Sequence, residues 1–152
     1  MVTERQVVNL SPLQLDRAAG VLVGAAVGDA LGAAYEFGPV CPPDAVQMGR
    51  GALTGRPAGS WTDDTDMSVC VAQAAAKGLA LDSPEGLRAV AEGFLGWYAD
   101  KPPDIGSQTR AVLSATTDPD QLAEAAAAYQ KANADAAGNG SLMRTGPIAL
   151  AR

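Results

Sequence analysis

Thr62-Asp63-Asp64-Thr65-Asp66 sets hydroxyls and carboxylates side by side where a Pro/Gly-rich stretch gives way to an apolar helical pattern. Hydroxyl and carboxylate oxygens are the donor set of hard divalent cations such as magnesium and manganese. A helix start also offers free N–H groups and a positive dipole end, which attract carboxylates without any metal. Two readings therefore stand: acids that hold an ion, or Thr62 or Asp63 as an N-cap with acids in the first turn. Two further segments are polar for their apolar surroundings. They are Gly28-Asp29-Ala30-Leu31-Gly32 with Glu36, and Gly138-Asn139-Gly140-Ser141-Leu142-Met143-Arg144.

The chain contains no histidine. Imidazole-ligated zinc, Ser-His-Asp and Cys-His nucleophiles and imidazole acid–base catalysis are thereby excluded, so chemistry falls to carboxylates, hydroxyls, backbone groups or a metal. Cys41 and Cys70 have neither zinc nor C-x-x-C spacing and read as two reduced thiols of a cytoplasmic protein. A net charge of −6 argues against a nucleic-acid or anionic-membrane partner. Met1–Arg5 lacks the layout of a signal peptide, and the apolar run 18–34 is short for a membrane span and carries Asp29.

With 152 residues, 47% of them apolar, the chain reads as a single helical domain with a real core. Ser11-Pro12-Leu13-Gln14 starts a first helix expected to reach about Phe37. Gly20, Gly24, Gly28 and Gly32 recur every fourth residue within it. Each interior glycine costs about 1 kcal/mol against alanine, so the row implies close approach of another helix or of a ligand. Residues 38–60 form a long Pro/Gly-rich loop, a kind that usually carries function or is disordered. A second helix is expected over about Asp64–Leu79, with Met67, Cys70, Val71 and Ala74 on its apolar face.

Ser83-Pro84-Glu85 opens a third helix to about Ala99, with Leu87, Val90, Ala91, Phe94 and Leu95 as its stripe. A short helix follows over Ser107 to about Ala115, and an Ala-rich one from Asp118-Pro119-Asp120 to about Ala132. Asp118 and Asp120 have the look of a D-x-D metal pair, but Pro119 at a helix start explains both as capping. After the loop 135–141 a last helical pattern runs from Leu142 and stops at Arg152 without a cap, as if cut in mid-element. No stretch reads as a strand; the fold class is all-α.

Together the three polar segments resemble the ADP-ribosylglycohydrolase family. Its pattern is a G-D-A-x-G helix followed by a glutamate, then T-D-D-T, then G-N-G-x-x-M-R, matched here at Gly28–Gly32 with Glu36, at Thr62–Thr65 and at Gly138–Arg144. Asp104-Ile105-Gly106 fits a weaker signature. The resemblance implies an orthogonal helical bundle in which Thr62, Asp63 and Asp64 ligate a pair of magnesium or manganese ions. Glu36, Asp63 and Asp64 would be the catalytic carboxylates. Asn139, Gly140 and Ser141 would cradle ribose and diphosphate, and Arg144 would pair with phosphate or with a structural carboxylate. Asp29 would touch substrate or serve as a satisfied helix-packing residue. The implied activity removes ADP-ribose from a modified side chain, arginine first, of an ADP-ribosylated protein.

Family members continue into a second half bearing a D-x-D-[TS] motif, for which residues 1–152 have no counterpart. The site would then need a missing C-terminal half or a second chain. The alternatives are a non-catalytic ADP-ribose or nucleotide binder and a structural remnant, as in the jellyfish lens crystallins similar to this family. A partial helical domain would also expose apolar faces and self-associate or be unstable alone.

Overall fold

A computed structural model describes residues 10–151. Met1–Arg5 and Arg152, on which the leader and chain-end readings rested, lie outside the described residues. Within them the fold is helical: α1 (Pro12–Gly32), α2 (Asp63–Ala76), α3 (Pro84–Ala99), α4 (Ser107–Leu113), α5 (Leu122–Ala132) and α6 (Thr145–Leu150), with three short 3-10 turns and no strand. No helix among these residues is long and apolar enough to cross a membrane.

The helix starts follow local chemistry. Ser11 accepts the Gln14 N–H while the Gln14 side chain accepts the Ser11 N–H, closing a capping box at α1. Ser83 accepts the Gly86 N–H at 3.0 Å and starts α3. Gly86 is required there, because a Cβ would collide with the Ala80 carbonyl. Asp118 accepts the Asp120 N–H at 3.0 Å, and Asp120 pairs with the Arg88 guanidinium. The D-x-D pair is thus used for capping and an ion pair. Pro119–Gln121 is a 3-10 turn, so α5 itself begins at Leu122.

Two helices end earlier than their patterns suggest. α1 stops at Gly32, and Ala33–Phe37 continue as turns in which Tyr35 N–H bonds the Gly32 carbonyl. Phe37 reaches a φ of 58°, which no helix accommodates, and Pro39 follows. α2 ends at Ala76 because Gly78 takes a φ of 77°, and its N–H turns back to the Ala75 carbonyl. The loop 38–60 has structure of its own. The Tyr35 hydroxyl accepts the Gln47 N–H at 2.9 Å, Ala52 N–H bonds the Ala33 carbonyl, and Pro43–Ala45 forms a 3-10 turn.

α2 is the central element, packed against α1, α3 and α6. Met67, Val71 and Ala74 are buried on its inner face, with Met67 only 2% exposed. A second apolar cluster joins Ala91 of α3 to Ile105, Leu113 and Leu122, with Phe94, Leu95 and Trp97 packed around it. Leu87, expected in the α3 stripe, is instead 57% exposed. α1 contributes little to either cluster: Ala30 is its buried residue, and Ala33 just beyond it is buried too.

Candidate active site

The site is built on the start of α2, and Asp29 of α1 organises it. The Asp29 carboxylate accepts the Thr62 N–H at 2.9 Å and the Thr62 hydroxyl at 2.8 Å. It also accepts the Thr65 N–H at 3.1 Å and the Thr65 hydroxyl at 2.5 Å. Four donors on one carboxylate fill most of its lone-pair positions. Asp29 thus has the helix-packing use: it neutralises the positive end of α2 from outside that helix. Thr62 is the N-cap, and its hydroxyl also takes the Asp64 N–H at 3.4 Å.

The N-cap reading is met, with Thr62 as the cap and Asp63, Asp64 and Asp66 in the first turn, and the electrostatics of these acids add to it. Acids that merely cap a helix are held below the usual carboxylate range by its dipole. Asp63, Asp64 and Glu36 are all pushed the other way, burial being the largest cause in each. The Asp104 charge is the next cause for Glu36 and Asp63, and Asp29 for Asp64. A Gly106 N–H bonded to Asp63 only partly offsets the rise. The capping is done by Thr62 and Asp29, and the remaining carboxylates repel one another.

Two clefts meet at Asp64. One, of about 440 Å³, is lined by Asp63, Asp64, Phe94, Gln108, Asn139, Gly140, Ser141 and Arg144. The other, of about 730 Å³, runs along α1 and α6 and takes in Asp29, Gly32, Glu36, Trp61, Asp64 and Thr65. The structure therefore arranges the candidates around Asp64, with Asp63 and Asn139–Arg144 along one cleft and Asp29 and Glu36 along the other, while Thr62 is buried and lines neither. A larger cleft between α3 and α4, lined by Tyr98, Lys101 and Arg110, holds none of them.

The loop before Leu142 is fixed by α4. Gly138 donates to Gln108 Oε1 at 3.1 Å, and a Cβ on Gly138 would meet that oxygen at 2.6 Å. Ser68 of α2 donates to the Met143 carbonyl at 2.7 Å, tying the far end of the loop to the same helix as the acids. Arg144 lies over the Phe94 ring, 5.3 Å from its centroid, with Nη1 3.6 Å from Met67 Sδ. Burial lowers the affinity of its guanidinium for the proton, which Asp63 and Asp64 partly restore. Its charge answers the acids across the cleft.

Three participants escaped the residue-type reading. Asp104 is the leading charged neighbour of Glu36 and Asp63, and only the Asp104-Ile105-Gly106 signature pointed to it. Asp66, counted among the acids of the opening motif, accepts the indole N–H of Trp61 at 2.7 Å and that of Trp97 at 3.0 Å. It ties α2 to Trp97 of α3 and holds Trp61 in the wall of the 730 Å³ cleft. Gln108 had no signal in the sequence, since glutamine at a helix start is common.

The chemistry of the donors suits a hard cation: neighbouring carboxylates whose charges disfavour one another, and a Thr62 hydroxyl bonded to Asp29 in a fixed orientation. The number of donors falls short. Among the described residues no three Asp, Glu or Cys side chains stand so as to hold a metal ion between them.

A start-of-helix acid cap, a preceding helix carrying Asp29 with Glu36 in the turns after it, and a Gly-Asn-Gly loop beside the same acids define a site assembled from three distant segments. Residues 10–152 match the ADP-ribosylglycohydrolase family model, and the chain belongs to that family. It is 34% identical over 151 residues to the ADP-ribosylarginine hydrolase Tri1 of Pseudomonas putida (strain GB-1), a match covering 94% of this chain and 38% of that one. It is 32% identical to the protein of the same name from Serratia proteamaculans (strain 568), over 91% of this chain and 37% of the relative. It is 34% identical to the ADP-ribosyl-[dinitrogen reductase] glycohydrolase of Rhodospirillum rubrum, over 90% of this chain and 45% of the relative. The chain thus spans less than half the length of each of these relatives.

Proposed function

We propose that this chain carries the acidic half of a site that hydrolyses the bond between ADP-ribose and a modified side chain, with arginine as the acceptor. The observation that carries the reading is the set of carboxylates left over once the helix is capped. Glu36, Asp63 and Asp64, with Asp104 beside them, repel one another next to a Gly-Asn-Gly loop. The names of the relatives support the substrate class.

In this reading Thr62, Asp63 and Asp64 hold magnesium or manganese, further donors coming from outside residues 1–152. When bound, the ions supply Lewis-acid polarisation of oxygens on the ribose next to the scissile bond. Glu36, whose proton affinity is raised, accepts a proton from the attacking water at neutral pH more readily than an ordinary glutamate. The N–H groups of Asn139 and Gly140 and the Ser141 hydroxyl donate to ribose and diphosphate oxygens. Arg144 balances phosphate charge at the edge of the same cleft.

The test is release of ADP-ribose from ADP-ribosyl-arginine with magnesium or manganese, against a chelator. Turnover that needs the metal and is lost in Asp63→Ala supports the reading. ADP-ribose binding without turnover, even when the missing part of the fold is supplied, favours the non-catalytic binder instead.

A further inference from the structure

The cleft between α3 and α4 measures about 810 Å³ and contains none of the acids at the start of α2. Ile105 and Leu113 in its wall are buried, and Leu95 packs against them. Lys101 and Arg110 stand in the same wall, both exposed. Neither has a carboxylate within 4.0 Å among the described residues. Glu92 is the acid of this wall, and the Arg88 guanidinium already holds it at 3.0 Å. The cleft is therefore locally basic in a chain of net charge −6.

Two backbone features point the same way. Lys101 follows the C-cap of α3 and takes a φ of 57°, its N–H turning back to the Tyr98 carbonyl. That left-handed position usually falls to glycine, because a Cβ is crowded there. Sparsely populated conformations of this kind gather at ligand-binding sites. Gly96 of α3 also lines the cleft, and a Cβ on it would meet no atom within 4 Å. Packing among the described residues thus does not require glycine at this helix position, where alanine is the better helix former. The absent side chain leaves room in the cleft.

We propose that this cleft binds a small amphiphilic anion, with a ring-sized apolar body against Ile105 and Leu113 and a carboxylate or phosphate head answered by Lys101 and Arg110. Small-molecule sites are clefts of about 300–1,000 Å³, mostly apolar, with a few polar groups that fix orientation. The arginine fork suits either head group through paired hydrogen bonds, and the lysine adds a point charge. Charge selects this occupant: a neutral body would leave both cations unanswered, and a cationic one would be repelled. The site stands apart from the hydrolytic reading and does not depend on it.

The experiment titrates residues 1–152 by calorimetry with 1-naphthoate, 1-naphthyl phosphate and the uncharged 1-naphthamide. One-to-one binding of at least one anion is expected, with the amide at least tenfold weaker; the tighter anion names the head group. Lys101→Gln and Arg110→Gln should each weaken that anion at least fivefold. Lys77→Gln, the same change of charge outside the cleft, should leave it unaltered. Gly96→Phe fills the cleft and should abolish binding. No saturable binding, an amide that binds as well as the anions, or indifference to both glutamine variants overturns the proposal. So does a dimer of residues 1–152 that Gly96→Phe dissociates, which gives the cleft to a second copy. Loss of binding on mixing with the part of the Rhodospirillum rubrum relative outside its match overturns it too, since a polypeptide then covers the cleft.

Discussion

Asp29 holds the start of α2 from outside that helix. It offers one carboxylate to four donors on Thr62 and Thr65, so removing it strands buried N–H and hydroxyl groups together. Asp29→Ala is expected to lower stability by about 3 kcal/mol, and Asp29→Asn, which keeps one acceptor oxygen, by about half of that. Urea unfolding of the three proteins checks the order, and equal midpoints would reject this role. Asp66 holds both indoles, so Asp66→Ala should alter the tryptophan emission of the folded chain, whereas Asp29→Asn should not.

The raised carboxylates make a pH prediction with a definite sign. Glu36, Asp63 and Asp64 bind protons more tightly folded than unfolded. Their contribution is most favourable below the ordinary carboxylate range and is lost as pH rises through their elevated folded values. The metal-free chain should therefore gain stability as pH falls from 7.5 toward 5, and Asp63→Asn should flatten that gain. Thermal melts across this range decide the matter; a gain untouched by Asp63→Asn would place its origin elsewhere.

At the scale of elements, α2 carries the load. Its inner face buries Met67, whose truncation to alanine should cost about 2–5 kcal/mol and loosen Arg144, which contacts the sulfur. Ser83→Ala, which removes one cap on α3, should cost only about 1 kcal/mol. Denaturant melts of the two variants give the comparison. The caps and most helix starts were legible in the sequence, because Ser-Pro and Asp-Pro pairs act within a single turn. The two early helix ends were not legible. They depend on Phe37 and Gly78 adopting positive φ, and on Tyr35 reaching twelve residues along the chain to Gln47.

The site was legible to a different degree. The acids, the Gly-Asn-Gly loop and Glu36 stood out because they are polar in apolar surroundings. Which acid does what was hidden, since Asp29 and Thr62 are 33 residues apart and only their contact frees Asp63 and Asp64 from capping.

For the whole molecule, the governing fact is that a family fold is represented by less than half of its relatives' length. The four-residue glycine spacing of α1, read as a mark of close packing, faces no partner among the described residues. Among the described residues, likewise, no three carboxylates stand so as to hold an ion between them.

The most direct measurement is calorimetric binding of ADP-ribose, with and without magnesium, to residues 1–152, alone and mixed with the part of the Rhodospirillum rubrum relative outside its match to this chain. Wild type and Asp63→Asn are compared at pH 7.5. The account predicts binding that magnesium strengthens at least tenfold in the wild type and not in the variant. Binding equal in both, or indifferent to magnesium, would contradict the assignment of the α2 acids to a metal-assisted ADP-ribose site.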